Sequence, residues 1–461
     1  MRTPATLLAS ALGLLLGGLT GCDRPAAPPA PRPDVLVVSL DTLRADLLEA
    51  RRPDGTPEMP RLAAFAAGAV RFPNAFAPMA FTLPSHMTLL TGAHPETHFV
   101  TTEKDVLSPE IETLAEVFRQ AGYATAGLQT SSWLKAGFGF DRGFELYEEI
   151  PMGLAAAGRI IDRVEAELAR AQSEGRPAFL FAHIFDAHSD FGFDGNRLSY
   201  HSEPAYRSDL EIPDSALCDA EQRCATDYLL WADREQREVS ERDRELHFEL
   251  YRRGARQLDD ALGELFDHLE ASGFLARGAV VVVSDHGEEF REHGRFLHNQ
   301  VYAESLRVPL LIRPPGKATG GRVDPRPVGL EDLAPTLARL AGLPPPAAHQ
   351  GFDLLAPAAP GAHAVLVGQD KLRRTRYGLR ADQRLLVWDF ADSATQLYDL
   401  AADPGERVDL AAERPQEVAE LRTRLIAELR RLRRERPTLR QAEGELFGPR
   451  ERETLRSLGY L

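Results

Sequence analysis

A pair of metal-binding residue types follows an apolar run in the middle of the chain. Residues 279–284 read Ala-Val-Val-Val-Val-Ser, and Asp285 and His286 come directly after them. A β-branched run without alternation is typical of a strand that is covered on both faces. Open α/β sheets keep their active sites at the carboxyl ends of their strands. The pair is therefore a candidate for a metal site.

Other polar side chains stand at equivalent places in the pattern. Asp41 ends the first predicted strand, and Asp186 and His188 follow a later one. Thr82 stands just before a predicted helix. Because parallel strands end at the same edge of a sheet, we expect these side chains to converge with the Asp-His pair.

The hydroxyl of Thr82 is suited to nucleophilic chemistry. The dipole and free N–H groups at a helix amino terminus stabilise an alkoxide and an incoming anion. If Asp41, Asp285 and His286 surround a divalent ion, Thr82 would be its fourth ligand and would lose its proton more easily. Oxygen and nitrogen ligands together admit calcium, zinc or manganese. The alternative role for Thr82 is a simple helix cap.

The order of predicted elements indicates an α/β fold with a mostly parallel sheet sandwiched by helices, because strands and helices alternate from residue 34 onward. We expect a catalytic domain over 34–345, with a polar, irregular insertion over 190–239 at the active edge of the sheet. A small carboxyl-terminal α+β subdomain is expected over 346–461. Strands are predicted over 35–40, 123–128, 178–184, 279–284, 306–313, 364–367, 377–380, 384–388 and 396–398. Helices are predicted over 59–68, from 84 onward, and over 108–121, 155–171, 243–271, 330–342 and 415–435.

The charge balance limits the class of partner. The chain has 69 acidic against 54 basic residues and a net charge of -15, which argues against nucleic-acid binding. An anionic substrate then needs local positive charge, which a bound metal supplies. The acidic stretch that contains Glu288 and Glu289 is expected to be a solvated loop.

The amino terminus predicts an extracytoplasmic, lipid-anchored protein. Residues 1–22 combine Arg2 with an apolar, small-residue stretch and end in Leu-Thr-Gly-Cys22, which resembles a bacterial lipoprotein processing site. Lipid would be attached to Cys22, and the Pro- and Ala-rich residues 23–33 would be a tether on the periplasmic face of a bacterial membrane. An uncleaved short anchor and a plain signal peptide are the alternatives.

Two cysteines remain after Cys22. Cys218 and Cys224 lie close together in a polar stretch, and no zinc-ligand pattern surrounds them. They are expected to form a disulfide in an oxidising compartment or to remain two free thiols.

Several motifs together resemble the sulfatase-like hydrolases of the alkaline phosphatase superfamily. The resemblance implies that fold, a divalent metal held by Asp41, Asp285 and His286, and Thr82 in the position of the nucleophile. The motifs are Asp-Thr-Leu-Arg-Ala-Asp at 41–46, Thr-Leu-Pro-Ser-His at 82–86, Ser-Asp-His-Gly-Glu at 284–288, Leu-Arg-Val-Pro-Leu at 306–310, Gln-Leu-Tyr-Asp-Leu at 396–400 and Leu-Arg-Ser-Leu-Gly-Tyr at 455–460.

The resemblance also implies roles for histidines around the substrate. His298 stands where sulfatases typically carry a Lys that contacts the ester, and it would protonate a leaving group or bind a second metal. Asp186 and His188 match a position beside the substrate, with a second metal site as the alternative. His86, the last residue of the nucleophile motif, is assigned to substrate binding. His183 is expected to belong to the core.

Thr82 is also the main departure from the sulfatase pattern. Sulfatases carry Cys or Ser there, in Cys/Ser-x-Pro-x-Arg, and oxidise it to formylglycine. A secondary alcohol cannot give that aldehyde, so no formylglycine is expected, and the Lys-x-His element of the family is missing as well. The sequence thus predicts a metal-dependent hydrolase of sulfuric or phosphoric esters. The alternatives are a phosphodiesterase or phosphoryl-group transferase acting on envelope lipids or glycans, and a catalytically lapsed protein that binds an anionic ligand.

Overall fold

The computed structural model describes most of the chain from residue 32 onward. The described residues are 32–449 and 452, without 152–155, 190–196, 214–216, 220, 222, 317, 358–364, 435–436, 439 and 442–445. The predicted lipidation site Cys22, the signal segment, the motif at 455–460 and nearly all of the tether lie outside them. None of the helices in this part of the chain has the length and apolar character needed to span a membrane.

The elements alternate along the chain as predicted. The strands are β1 (Asp34–Leu40), β2 (Val70–Arg71), β3 (Ala75–Phe76), β4 (Asp105–Val106), β5 (Ala124–Gln129), β6 (Leu146–Glu149), β7 (Ala178–Ile184), β8 (Gly278–Ser284), β9 (Glu289–Phe290), β10 (Phe296–Leu297), β11 (Arg307–Val308), β12 (Leu310–Arg313), β13 (Val328–Gly329), β14 (Val365–Gln369), β15 (Arg376–Ala381), β16 (Arg384–Asp389), β17 (Thr395–Asp399) and β18 (Arg440–Gln441). The helices are α1 (Pro60–Ala66), α2 (Thr82–Thr91), α3 (Pro95–His98), α4 (Leu114–Gln120), α5 (Ala156–Ser173), α6 (Ala225–Arg234), α7 (Glu241–Ala271), α8 (Phe274–Arg277), α9 (Ala303–Leu306), α10 (Leu333–Leu340) and α11 (Pro415–Leu432).

A seven-stranded sheet in the order β2-β12-β8-β1-β7-β5-β6 forms the centre of the molecule. Its strands are parallel except for β12, which runs antiparallel to both of its neighbours. The strand β1 lies between β7 and β8, so their carboxyl ends meet at one edge. The predicted fold class is confirmed, and the sheet brings the predicted active strands side by side.

Both faces of this sheet are buried in apolar cores. Along β1, Val35 and Val37 face one core, whereas Leu36 and Val38 face the other, as the two-residue period of a strand requires. The first core is completed by residues of α2, α4 and α10, and the second by residues of α1, α5 and α7. Burying each such aliphatic side chain contributes about 1.5–3 kcal/mol, which explains the unbroken apolar run of β8.

A second sheet carries the carboxyl-terminal part of the fold. Strands β14 to β17 form an antiparallel meander, and α11 packs on it through Leu425, which contacts a separate apolar core with Leu379 and Leu386. The loop after β14 is tied to the main body, since the Lys371 N–H donates to the carbonyl of Asn299 at 2.9 Å. This sheet therefore delivers a loop to the edge where β1 and β8 end.

The structure differs from the prediction at several element boundaries. Helix α2 begins at Thr82 with Phe81 as its cap, two residues before the predicted start. Helix α4 begins at Leu114 rather than Ser108, because Thr113 and Glu116 form a capping box. The strand predicted over 306–313 is divided at Pro309, which lacks the N–H that a continuous ladder needs.

The segment predicted to be an irregular insertion has more structure than expected. It contains the helix α6, in which Tyr228, Leu229 and Ala232 are buried at helical spacing. It also contains a disulfide between Cys218 and Cys224, with their Cα atoms 4.3 Å apart. The structure thus contains the disulfide rather than two free thiols.

Candidate active site

Backbone contacts between strand ends fix the two carboxylates of the site. The Asp41 N–H donates to the carbonyl of Ile184 at 2.9 Å, which ties the end of β1 to the end of β7. The Thr42 N–H donates to Oδ1 of Asp285 at 3.2 Å, and the Leu43 N–H donates to Oγ of Ser284 at 3.0 Å. Asp41 and Asp285 therefore lie together because their strands are neighbours.

Four of the predicted metal-site residues converge on one another. Nε2 of His286 lies 3.8 Å from Oδ1 of Asp41, 3.4 Å from Oδ2 of Asp285 and 3.3 Å from Oγ1 of Thr82. Nδ1 of His286 donates to the carbonyl of Gly287 at 3.1 Å, so Nε2 is the nitrogen with the lone pair. All four side chains are buried, and a nitrogen lone pair and carboxylate oxygens face one another, which is a suitable donor set for a cation.

The electrostatics of the carboxylates also fit a cation. Burial raises the pKa of Asp41 to about 8. Burial, with the nearby charge of Asp41, raises the pKa of Asp285 to about 7. Within the described residues, both carboxylate oxygens of Asp41 and Oδ2 of Asp285 are buried without a hydrogen-bond partner. Because such groups are costly to bury as anions, the residues present fit a divalent ion that supplies the missing positive charge.

Two further predicted histidines lie beside this cluster. The ring of His298 lies 4.4 Å from that of His286 and 5.1 Å from that of His188, measured between ring centres. Burial lowers the pKa of His188 to about 3 and that of His298 well below its usual value. Both imidazoles are therefore neutral near pH 7.

The prediction that Glu288 lies in a solvated loop is wrong. Its side chain is fully buried, and Oε2 lies 3.3 Å from Nδ1 of His298. The turn after β8 is drawn inward, since the N–H groups of Gly287 and Glu288 donate to the carbonyls of Ser305 and Glu304 at 2.7 and 3.0 Å. Glu288 thus orients His298, and Glu289 is buried beside it.

The two residues assigned to substrate binding make contacts within the protein. The carboxyl of Asp186 accepts hydrogen bonds from the backbone of Ala156 and Ala157, at the start of α5, and burial raises its pKa to about 6. His86 is fully buried beneath the cluster, where Nδ1 donates to the carbonyl of Thr82 at 2.9 Å and Nε2 lies 2.8 Å from Oγ of Ser39. Asp186 therefore caps a helix, and His86 supports the first turn of α2.

The sequence did not reveal two residues of this region. His183 is buried as predicted, yet its Nε2 lies 3.2 Å from Oδ2 of Asp41. Lys371, in the loop after β14, places Nζ 4.9 Å from the centre of the Phe81 ring, next to Thr82. Burial lowers the pKa of Lys371 to about 7, opposed by the charge of Glu288. This chain lacks the two lysines typical of sulfatases, since His298 replaces one and the Lys-x-His element is missing. That absence is the sequence signal that a positively charged side chain comes from another element.

The central sheet is mostly parallel, and Asp41, Asp285 and His286 at its active edge face the hydroxyl of Thr82 at the start of α2. This arrangement defines an alkaline phosphatase-like fold. The family model described as Sulfatase matches residues 33–343, and the chain belongs to the sulfatase family. A model described as N-sulphoglucosamine sulphohydrolase, C-terminal, matches residues 291–435.

Individual sulfatases and a solved phosphonate monoester hydrolase are also similar to this chain. Arylsulfatase K of Xenopus laevis is 31% identical over 185 residues, which cover 37% of this chain and 34% of that protein. The matched part thus spans about a third of the length of such curated relatives. An ulvan-active sulfatase of Formosa agariphila is 26% identical over 70% of this chain and 64% of its own length. The solved phosphonate monoester hydrolase of Agrobacterium radiobacter has a TM-score of 0.67 at 20% identity, covering 87% of this chain and 96% of that one.

Proposed function

We propose that this protein is a metal-dependent hydrolase of sulfate or phosphate esters in which Thr82 is the nucleophile. The observation that carries the proposal is the position of Thr82, whose Oγ1 lies 3.3 Å from Nε2 of His286 at the first residue of α2. Membership of the sulfatase family supports ester hydrolysis as the reaction class.

The cluster around Thr82 supports metal dependence. A divalent ion held by Asp41, Asp285 and His286 would supply the positive charge that lowers the pKa of the Thr82 hydroxyl and attracts an anionic ester. The hydrogen bond from Nδ1 of His286 to Gly287 keeps the lone pair of Nε2 directed at the carboxylates. The amino terminus of α2 adds a favourable dipole for negative charge at Thr82.

The histidines beside the site would assist the departure of the leaving group. As Oγ1 of Thr82 forms its bond to sulfur or phosphorus, the hydroxyl proton passes to solvent, because burial makes His298 and His188 weak bases. On the opposite side of the central atom the bond to the ester oxygen breaks, and that oxygen takes a proton from water while it accepts a hydrogen bond from His298 or His188. Glu288, 3.3 Å from Nδ1 of His298, holds this ring in place. Water then attacks the threonyl ester at its central atom and regenerates Thr82.

Thr82 favours phosphorus as the central atom, which makes a phosphodiesterase or phosphoryl-group transferase the second candidate function. A secondary alcohol cannot become formylglycine, so a threonyl sulfate could not be released by elimination. A threonyl phosphate is opened by water at phosphorus. The likeness in fold to a phosphonate monoester hydrolase is compatible with this preference.

Substrate turnover by the metal-loaded protein tests the proposal. We expect hydrolysis of at least one ester in a panel of aryl sulfates, phosphate monoesters, phosphate diesters and phosphonate monoesters, read as released sulfate, phosphate or phenol. Chelation should abolish it, and added zinc, manganese or calcium should restore it. If the metal-loaded protein turns over none of these esters and the chelator-treated protein still binds the anions normally, the result would instead support a catalytically lapsed binding protein.

We further propose that the protein is lipid-anchored through Cys22 on the periplasmic face of a bacterial membrane. The sequence of residues 1–22 supports the anchor. The disulfide between Cys218 and Cys224 supports an oxidising compartment.

A further inference from the structure

Glu289 is a buried carboxylate that the proposed reaction does not use. It lies in β9, and its side chain has no exposed surface. The backbone N–H groups of Asn299 and Gln300 donate to its Oε1 at 2.7 and 2.8 Å. The side-chain amide of Gln300 lies 2.9 Å from Oε2, and Oγ of Ser305 lies 2.5 Å from Oε1. Glu289 is therefore bound to one loop, residues 299–305, through both of its oxygens.

This loop starts after His298 from a strained backbone. Leu297 pairs with Glu289 across the β9–β10 hairpin and has a φ of 68°, in the left-handed region that a bulky side chain rarely adopts. Such a conformation costs about 1–3 kcal/mol and persists only where the surrounding contacts over-determine it. The two backbone hydrogen bonds to Glu289 come directly after His298, so they hold the chain in this conformation. In it, the ring of His298 lies 4.4 Å from that of His286.

The same loop holds the backbone of Lys371. The carbonyl of Asn299 accepts the N–H of Lys371 at 2.9 Å, while the N–H of Asn299 donates to Glu289. Asn299 therefore connects the buried carboxylate to the loop after β14. One side chain thus fixes the backbone next to His298 and, through Asn299, the backbone of Lys371.

We propose that Glu289 is a positioning residue that places His298 and Lys371 against the ester bound at Thr82. Because that ester belongs to the proposed function above, this role rests on the same proposal. Glu289 acts through the loop that it binds and does not touch the ester. The role depends on the reach of its carboxylate more than on its charge, because a carboxamide oxygen in the same place also accepts backbone N–H groups.

Two conservative substitutions separate reach from charge. Glu289→Gln keeps an oxygen at the position of Oε1, and the amide of Gln300 can rotate by half a turn to accept from the new NH2 group. Glu289→Asp keeps the charge but withdraws the carboxylate by about 1.5 Å, the length of one C–C bond, so the N–H groups of Asn299 and Gln300 lose their acceptor. We therefore expect Glu289→Asp, and not Glu289→Gln, to displace His298 and Lys371.

The dependence of kcat/KM on the leaving group tests the role through His298. A displaced His298 matters most for an ester oxygen that leaves poorly. In the metal-loaded full chain, Glu289→Asp should lower kcat/KM roughly 10- to 100-fold on an alkyl ester and less than about 3-fold on the 4-nitrophenyl ester of the same acid. Glu289→Gln should stay within about 3-fold of the wild type on both.

The matched control is Glu58→Gln, which changes an equally buried glutamate that pairs with Arg252 and Arg256 of α7. It should leave the ratio of the two activities unchanged. Thermal unfolding of the same samples shows that each variant is folded.

Affinity for inorganic phosphate tests the role through Lys371 without any turnover. Calorimetric titration of the metal-loaded protein should show phosphate binding about 3- to 10-fold weaker in Glu289→Asp. The combination with Lys371→Gln should bind no more weakly than Lys371→Gln alone, because both changes remove the same contact.

An effect of Glu289→Gln as large as that of Glu289→Asp would overturn the positioning role. Glu289→Asp that leaves both the ratio of the two ester activities and the phosphate affinity unchanged would overturn it as well. A wild type that turns over no ester, but whose phosphate binding depends on Glu289 and Lys371 as expected, would contradict the proposed function and leave Glu289 as a positioning residue for a bound anion.

Discussion

Burial is what turns the polar residues at the ends of β1 and β8 into a site. Asp41, Asp285 and His286 have no exposed surface, and their charges are balanced by few neighbours. A carboxylate in that position has its pKa raised by burial and lowered by a cation. The same residues in a solvated loop would be ordinary polar side chains.

The metal-free protein should lose stability as the pH rises. An acid whose pKa is raised on folding binds its proton more tightly in the folded state, so its stabilising contribution is complete below its usual pKa and is lost through the raised pKa. For Asp41 and Asp285 the usual value is 3.8 and the raised values are about 8 and about 7. The buried histidines, whose pKa values are lowered, oppose this trend below their usual value of 6.5. We therefore predict that the melting temperature in a chelator falls between pH 6.5 and pH 8, by more than about 1 °C.

The control for this prediction is Asp41→Asn, which removes the group with the larger shift and should flatten the pH dependence. Thermal unfolding followed by circular dichroism gives the measurement. A melting temperature of the metal-free wild type that rises over the same range would contradict the electrostatic account of the two carboxylates.

Lys371 is expected to pair with the negative charge of the substrate. Its Nζ lies over Phe81, the residue before the proposed nucleophile Thr82, where burial strengthens its interaction with an anion. A hydrogen bond to a charged group contributes about 1.5–3 kcal/mol, so Lys371→Gln should raise KM by roughly 10- to 100-fold. Lys371→Arg should recover part of this loss.

The control is Arg373→Gln, which removes a positive charge from the same loop at a side chain that is 60% exposed. Steady-state kinetics on the ester that the enzyme turns over separates the variants. Equal KM values for Lys371→Gln and Arg373→Gln would exclude a specific role for Lys371.

At the scale of elements, the sequence predicted those strands and helices whose residues form a clear local pattern. The buried strands β7 and β8 were placed within one residue because apolar runs of this kind have few other conformations. The start of α4 was missed because its capping box outweighs the earlier Ser108. Helix α6 was missed because its buried face is short and lies among charged residues. The contact of His183 with Asp41 and the position of Lys371 were not predicted, because they depend on which side chains the fold brings together, and no local pattern encodes that.

The sheet that carries Lys371 depends on α11 for its stability. Leu425 is fully buried between this helix and β14 to β17, so Leu425→Ala leaves a cavity and should lower the free energy of unfolding by about 2–5 kcal/mol. The same substitution at Leu372, whose side chain is 50% exposed, should change it by less than about 0.5 kcal/mol. Urea unfolding of both variants compares them. Similar losses at the two positions would show that α11 does not support the sheet.

At the scale of the whole molecule, the net charge of -15 makes local positive charge necessary for an anionic substrate. The fold offers two sources at the same edge of the sheet, since the ends of β1 and β8 would hold the proposed metal, and Lys371 arrives from the loop after β14. This division explains how a sulfatase-family chain can lack the usual lysine positions and still receive an anion.

The predicted lipid anchor concerns the whole molecule as well. Cys22→Ala should move the protein from the membrane fraction to the soluble fraction and abolish labelling by a radioactive fatty acid. Cys218→Ala, which breaks the disulfide instead, should leave the protein in the membrane fraction. Unchanged membrane association of Cys22→Ala would refute lipidation at this residue.

The most direct test of the central claim is kcat/KM of Thr82→Ala at saturating metal, next to Thr82→Ser. The alanine variant lacks the attacking oxygen and should lose roughly 10³-fold or more, whereas the serine variant keeps a hydroxyl and should retain most of the activity. Metal content measured on the same samples shows that the ion is still bound. A metal-loaded Thr82→Ala that keeps more than about a tenth of the wild-type kcat/KM would contradict nucleophilic catalysis by Thr82.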